Sequence, residues 1–299
     1  MTTAQLRATP GRASTTPAGG RPARRRGGWV PTVGLLVGAV YCLLPVLWVV
    51  IAATKSSAQL FSSFTMAPGT GLLGNLRQLN AYRGGEFWHW MLNSAFYAGV
   101  GALLSAALSG VTGYALAKYR FAGRDSVFNI LLAGVLMPPV VLAIPQYLLM
   151  AKAGLADSYW SVLLCSIVSP YGIYLARIYA AGAIPDEVVE ASRVDGASEW
   201  RLFRSVVVPM MAPGLVTVFL FQFVAIWNNF LLPYIMLGDD TKFPVTVGLF
   251  TLLNQGASQP ALYTLVITGA LISVLPLIIL FLSLQRYWRL DLLSGAVKS

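Results

Sequence analysis

The segment Pro185 to Pro209, reading PDEVVEASRVDGASEWRLFRSVVVP, concentrates the polar side chains of this chain, and their types suit contact rather than catalysis. Pro185 can open a helix because its missing N–H costs nothing at the first position, and Asp186 and Glu187 complement the positive helix start. The Ala and Glu content carries that helix to about Asp195. Gly196 then supplies a left-handed stop, and Ser198 caps a second helix running to Pro209. Two short helices meeting at a bend would offer a partner a shaped polar surface. A second cluster, Trp227-Asn228-Asn229-Phe230, sets two amides beside aromatic rings inside an apolar run. Such a group suits ligand hydroxyls, or equally bonds between membrane helices, worth about 0.6 to 2 kcal/mol each.

Other chemistries lack material. The chain has eleven carboxylates and one histidine, and all the carboxylates fall in expected loops or helix ends. His89 lies between Trp88 and Trp90 and reads as part of an interfacial aromatic belt. No hydrolytic triad or metal site can be assembled from these residues. There is no G-x-x-x-x-G-K-[ST] phosphate loop and no Gly-Lys pair, so ATP cannot be bound and hydrolysed in the usual way. A proton-coupled carrier would need an Asp, Glu or His within its spans, and none maps there. Cys42 and Cys165 both fall within expected spans, which argues for packing and against a disulfide framework.

The elements that position these clusters are membrane helices. With 57% hydrophobic and 11% charged residues and a mean hydropathy of +0.68, the 299-residue chain is too apolar for a soluble domain. Runs near the roughly 20 residues needed to span a bilayer occur at about Val30 to Ala53, Leu92 to Ala117, Val127 to Ala151, Tyr159 to Ala180, Met211 to Leu237 and Ala261 to Leu284. The first lies too deep and runs too long for a cleaved signal peptide and reads as a retained helix. The fold class is therefore an all-α integral membrane protein with six transmembrane helices. Sixteen of the 21 Lys and Arg fall on the side holding both termini and the glycine-hinged segment, which places that side in the cytoplasm. The net charge of +10 reflects this topology and a Pro/Gly/Thr/Arg-rich tail rather than nucleic-acid binding. Residues 1 to 28 read as a disordered basic cytoplasmic tail with an attraction to anionic headgroups.

Glu190-Ala191-Ser192, Gly196 and Val206-Val207-Val208-Pro209 resemble the cytoplasmic loop of ABC importer permeases, whose pattern is E-A-A, three residues, Gly, nine residues, then I-x-L-P. Asp195-Gly196-Ala197-Ser198 is similar to the D-G-A-S core of the carbohydrate-uptake, maltose-permease-type subfamily. Ser replaces the second Ala, and Val replaces Ile and Leu. Further likenesses are Tyr114 to Phe121 with Gly123-Arg124, Met137-Pro138 with Pro145, Trp227 to Phe230 with Asn229 in place of the usual Asp, and the ending from Gln285-Arg286-Tyr287 to Gly295-Ala296-Val297-Lys298. In place of the subfamily's Arg-Gly, this ending carries Trp288-Arg289-Leu290-Asp291.

The resemblance implies a type I ABC importer permease fold and a subunit of an ATP-driven sugar importer in a bacterial or archaeal cytoplasmic membrane. Its six-helix transmembrane domain would cover 29–284, with an external lobe at 55–91, a coupling loop at 184–209 and a cytoplasmic tail at 285–299. Asn75 and Tyr82 in the lobe resemble the family's E-N-Y region, which would meet an extracellular or periplasmic solute-binding protein. Glu190, Ala191, Ser192, Asp195, Gly196, Ala197 and Pro209 would form the coupling site toward two ATPase subunits. Trp227, Asn228, Asn229, Met137 and Pro138 would line a substrate path shared with a second permease. No cofactor is expected on this chain, because ATP and Mg would be used by the partner ATPase. Two other readings of the residues stand: a non-transporting membrane scaffold whose loop recruits a partner, and an ion-coupled secondary carrier. The proline-broken span and the Trp-Asn-Asn cluster favour transport.

Overall fold

Three short interruptions divide the apolar runs, and each has a local cause. The structure, a computed structural model, describes residues 29–62 and 66–296, with side chains described up to 285 and at 287. The expected N-terminal tail lies outside the described residues. Among those described, every regular element is helical: α1 (Trp29–Ala53), α2 (Ser57–Ser62), α3 (Leu72–Ala81), α4 (Glu86–Lys118), α5 (Arg124–Leu136), α6 (Pro139–Lys152), α7 (Tyr159–Ile167), α8 (Pro170–Ala183), α9 (Asp186–Val194), α10 (Glu199–Leu202), α11 (Val208–Trp227), α12 (Leu231–Met236), α13 (Val245–Gln255) and α14 (Ala261–Ala296). Five helices are long and apolar enough to cross a membrane, or six if the bent pair α5 and α6 is one span. The chain divides into two compact units, Met1–Leu47 and Trp48–Ser299. The first holds most of α1, and the second everything described below.

The expected third span is not a kinked helix. α5 and α6 meet at 107°. A residue before proline avoids the helical region, and Pro138-Pro139 imposes that twice in succession. Met137 (ψ 127°) and Pro138 (ψ 126°) are both extended, and Pro139 opens α6 at its first turn. The same rule breaks the fourth span, expected to be continuous. Ser169 precedes Pro170 with ψ 102°, so α7 ends and α8 starts afresh, with Ser169 Oγ accepting from the Gly172 amide at 3.0 Å.

The fifth span also departs from expectation, at both ends. Its helix starts at Glu199 and continues to Trp227, through α10, a π-turn at Phe203–Val207 and α11. Pro209 therefore does not end the second short helix. It stands in the first turn of α11, where a proline is tolerated. At the other end the helix stops at Asn228 instead of running to Leu237, and α12 follows as a separate element.

α4 runs through the second unit and packs on α7, α8 and α11. From residue 98 to 113 its buried face is made of small residues, Ala98, Gly101, Ala102, Ser105, Ala106, Ser109, Gly110 and Gly113. Small side chains let membrane helices approach closely, where dispersion rather than water exclusion favours association. Gly113 marks the tightest crossing with α8: a Cβ there would lie 2.6 Å from Ala176 Cβ and 2.7 Å from its carbonyl carbon. Two buried clusters result. The larger joins Trp90, Tyr97, Leu163, Phe223, Trp227 and Leu252. The smaller joins Tyr114 and Ala176 to Val189, Leu202, Val207 and Met211, so the hinged segment shares a core with α4, α8 and α11.

Asparagines and a serine pin the end farthest from that segment. Asn75 Nδ2 donates to the carbonyls of Ala53 and Lys55, both at 2.9 Å. On α4, Asn93 Nδ2 donates to the carbonyls of Thr241 (2.8 Å) and Phe243 (3.0 Å), and Ser94 Oγ accepts from the Val245 amide (2.8 Å). Asp157 adopts a left-handed φ of 53° while its carboxylate accepts from the amides of Gly238 and Asp239. Those two bonds hold its pKa below the usual carboxylate value. Trp90 belongs to the core rather than to an interfacial belt, although Trp88 is exposed. Cys165 packs against the larger cluster, whereas Cys42 is exposed, and both are free thiols.

Candidate functional site: a glycine-hinged segment and a mid-bundle cavity

The hinged segment forms as its sequence dictates. Asp186 starts α9 one residue after Pro185, and the helix stops at a left-handed glycine, Gly196 (φ +79°). Two backbone bonds close the stop, from the Ala197 amide to the Ser192 carbonyl (3.1 Å) and from the Gly196 amide to the Arg193 carbonyl (3.0 Å). Ser198 Oγ then accepts from the Arg201 amide at 3.4 Å to begin α10. No neighbour lies within 4 Å of a Cβ built on Gly196, so the backbone conformation alone requires glycine there.

Among the expected coupling residues, Glu190, Ala191, Asp195 and Gly196 are exposed on one contiguous turn. Ser192 and Ala197 are half-buried, and Ser192 Oγ donates back to the Val188 carbonyl at 2.8 Å. Pro209 is exposed but lies on α11, past the π-turn, apart from this surface. Two residues missed by sequence reasoning belong to the surface: Val194 is 87% exposed and Trp200 68%. Both bare apolar side chains beside the glycine turn. The available signal was that they interrupt a charged run.

Polar contacts clasp this segment to α4. Lys118 Nζ meets Asp186 Oδ1 at 2.6 Å, and this ion pair lowers the Asp186 pKa. Arg193 donates to Glu199 through Nε (2.8 Å) and Nη2 (3.3 Å), Tyr119 OH donates to the same carboxylate, and the guanidinium lies 5.7 Å from the Tyr119 ring centre. Exposed pairs of this kind add little net stability, so their value is geometric: they fix the angle of α9 against α4.

The three helix breaks meet at a cavity of about 340 Å³. Its walls come from α5, α6, α7, α8, α11 and α12, and its polar groups are Gln146, Ser166, Ser169, Tyr171, Gln222 and Asn229. Gln222 Nε2 donates to the Ser166 carbonyl at 3.1 Å, while the Gln146 side chain has no hydrogen-bond partner among the described residues. Irregular backbone at membrane depth is tolerated where it lines such a space.

The expected substrate-path residues separate here. Met137 and Asn229 line the cavity; Pro138, Trp227 and Asn228 do not. Trp227 is buried, stacked on Phe223 (5.6 Å, 16°), and its Nε1 donates to the Ser273 carbonyl at 3.2 Å. Asn228 Nδ2 is spent on the Val224 carbonyl at 2.9 Å. Asn229 Oδ1 accepts from the Leu232 amide at 3.3 Å, and Thr246 Oγ1 donates to the Asn229 carbonyl at 2.9 Å. The amide pair thus serves mainly to end α11 and start α12. The aromatic ring on the cavity wall is that of Tyr171.

Residues 109–289, which include the breaks and the hinged segment, match the model of the binding-protein-dependent transport system inner membrane component. The chain belongs to that family. As a family member it is a multi-pass inner-membrane permease component of a transport system, and its role is transport rather than catalysis. This permease is 33% identical over 273 residues to the arabinooligosaccharides transport system permease protein AraQ of Halalkalibacterium halodurans, covering 90% of this chain and 96% of the relative. It is 31% identical over 265 residues to the lactose transport system permease protein LacG of Rhizobium radiobacter, covering 88% and 94%. Its fold is similar to that in a crystal structure of a bacterial ABC transporter involved in alginate import, with a TM-score of 0.74, 24% identity and coverage of 91% of this chain and 99% of the other. The expected ABC importer permease fold is therefore the observed one.

Proposed function

We propose that this permease imports a neutral sugar, an oligosaccharide, monosaccharide or related polyol, and forms the path with a second permease subunit. The observation that carries this is a cavity built from three helix breaks, largely apolar but studded with uncharged amides and hydroxyls, and joined by one continuous helix, Glu199–Trp227, to the hinged segment. Amides and hydroxyls both donate and accept, as sugar hydroxyls do, and the walls hold no charged side chain. The relatives named for arabinooligosaccharides and lactose support the same class.

In this reading the hinged segment faces the cytoplasm, as do both termini, and an external solute-binding protein meets the opposite end. Glu190, Asp195, Gly196 and Ala197, with Val194 and Trp200, dock on one of two separate ATPase subunits, which bind the ATP and Mg. Closure of the ATPase pair pushes α9; the clasp and the smaller core pass the displacement to α4, α8 and α11, and the cavity changes access. Asn229, Met137, Gln146, Gln222 and Tyr171 contact sugar, whereas Trp227, Asn228, Pro138 and Pro209 set helix geometry.

Reconstitution tests this reading. The tagged chain is purified in mild detergent with whatever co-purifies and placed in vesicles. Sugar accumulation that needs ATP and binding protein is expected. Uptake that runs on an ion gradient without ATP would identify a secondary carrier, and recovery without an ATPase or second permease would identify a scaffold.

A further inference from the structure

The wall of the mid-bundle cavity with the least anchorage is α5. It has no buried residue and packs chiefly on α8. Its last turn, through Gly134 and Val135, and Met137 just beyond it nevertheless line the cavity, so whatever holds α5 also holds that wall. Contacts near both ends do so. At the cavity, Gly134 lies against Pro170, close enough that an added Cβ would come within 3.3 Å of the proline Cγ. Toward the start of α5, Phe128 stacks on Tyr174 (6.2 Å, 17°) and lies under the Arg177 guanidinium, whose central carbon is 3.5 Å from the ring centre. A cation over a ring face is attracted by the ring's negative quadrupole, most strongly where water is excluded.

Arg177 lies inside the span Tyr159–Ala183, about 9 Å along the axis from its last residue. It makes no ion pair among the described residues. A charge kept within a span needs other partners and marks a functional position. Here the partners belong to two further helices. Nε donates to the Leu116 carbonyl in the last turn of α4 at 3.4 Å, and the ring of Phe128 comes from α5. The Arg177 backbone nitrogen stands at the tight crossing of α4 and α8, 2.7 Å from where a Cβ on Gly113 would be. Two residues past Leu116, Lys118 carries the ion pair to Asp186 on the hinged segment. An arginine that merely reached for the membrane surface would need neither the ring nor the carbonyl. We propose that Arg177 is a positioning residue for transport: it ties α5 to the α4–α8 pair, so that displacement of the hinged segment moves the Gly134–Met137 wall with it. The inference rests on that cavity being the transport path, and it names which wall moves.

Spin labels on two exposed positions, Leu103→Cys on α4 and Ile130→Cys on α5, test the tie in the full chain held in lipid nanodiscs, with Cys42→Ser and Cys165→Ser as background. The distance distribution between the labels should be narrow. Arg177→Gln should at least double its width. Arg177→Lys should restore most of the narrowing, because an ammonium keeps the charge over the ring while losing the planar fork. Phe128→Leu should broaden it as much as Arg177→Gln, and the double variant no further, since both remove one contact. A narrow distribution in Arg177→Gln, or broadening that adds up in the double variant, would overturn the tie. In the assembled transporter, Arg177→Gln should lower the maximal uptake rate about tenfold while the KM for sugar moves less than twofold, and Arg177→Lys should recover much of the rate. A KM raised tenfold at an unchanged maximal rate would contradict the positioning role. The label distances are read without ATP or sugar, so failure of the tie and failure of the importer reading remain distinct results.

Discussion

The hinged segment and the mid-bundle cavity are built by different means. The segment is local: a glycine stop, a serine cap and ion pairs fix nine residues of α9 and the turn after it, and the exposed face is contiguous in sequence. The cavity is assembled from breaks that lie far apart, at Met137-Pro138, Val168-Ser169 and Asn228-Asn229, brought together only because α4 lets α8 and α11 approach closely. The first region is braced by polar contacts to the end of α4, an arrangement suited to transmitting displacement. The second is walled by helix ends, which can shift without breaking a continuous ladder. In the proposed reading recognition is thereby separated from drive, and one long helix, Glu199–Trp227, joins them.

Substitutions can break that separation in order of expected effect. Gly113→Leu drives a side chain into the Ala176 backbone and should cost the fold about 3 kcal/mol or more, the upper range for overpacking. A lower melting temperature in detergent and poor recovery from membranes would register it, and both regions should fail together. Gly196→Val should do the opposite. Its φ of +79° penalises any L-residue by about 1 to 2 kcal/mol, more for a β-branched one, yet no neighbour is crowded. Membrane levels and sugar binding should persist while ATP-driven uptake falls about tenfold or more. Normal uptake by this variant would refute the coupling role of the turn.

Smaller effects should sharpen the contrast. Gln222→Ala removes one cavity donor and should raise the KM for the imported sugar about threefold to tenfold, with ATPase stimulation intact. Asp186→Ala releases Lys118 and should reduce uptake by about twofold or less, more so at low salt, because exposed pairs are weak and screened. Asp186 has a lowered pKa, so its contribution is fully present above the unfolded value of about 3.9 and is lost only as pH falls below it. Uptake measured from pH 5 to 8 should therefore show no dependence assignable to the clasp.

Legibility followed the same division. Gly196, Ser198 and the acidic start of α9 are signals whose partners lie within five residues, so the turn could be read from sequence almost bond by bond. Pro138-Pro139 could be read as a break, but its 107° angle needed both prolines weighed together. Ser169-Pro170 carried the same signal inside a run judged only by its apolar length. Trp227 looked like a sugar platform because sequence cannot say which way a helix face turns; its indole points into the core and bonds the Ser273 carbonyl, 46 residues away. Tyr171 and Gln146, which do reach the cavity, carry no local mark at all. Val194 and Trp200 escaped notice because an apolar residue in an amphipathic segment is ordinarily assigned to its buried face.

The central claim is that the face around Gly196 is where an ATPase drives this permease. A photo-reactive phenylalanine analogue placed at Val194, in the transporter purified as a complex, tests it most directly. The prediction is one dominant adduct between this chain and the ATPase subunit, with a yield that changes when ATP is added and hydrolysis is blocked. An adduct with lipid or with no protein at Val194, while the complex still transports sugar on ATP, would contradict it.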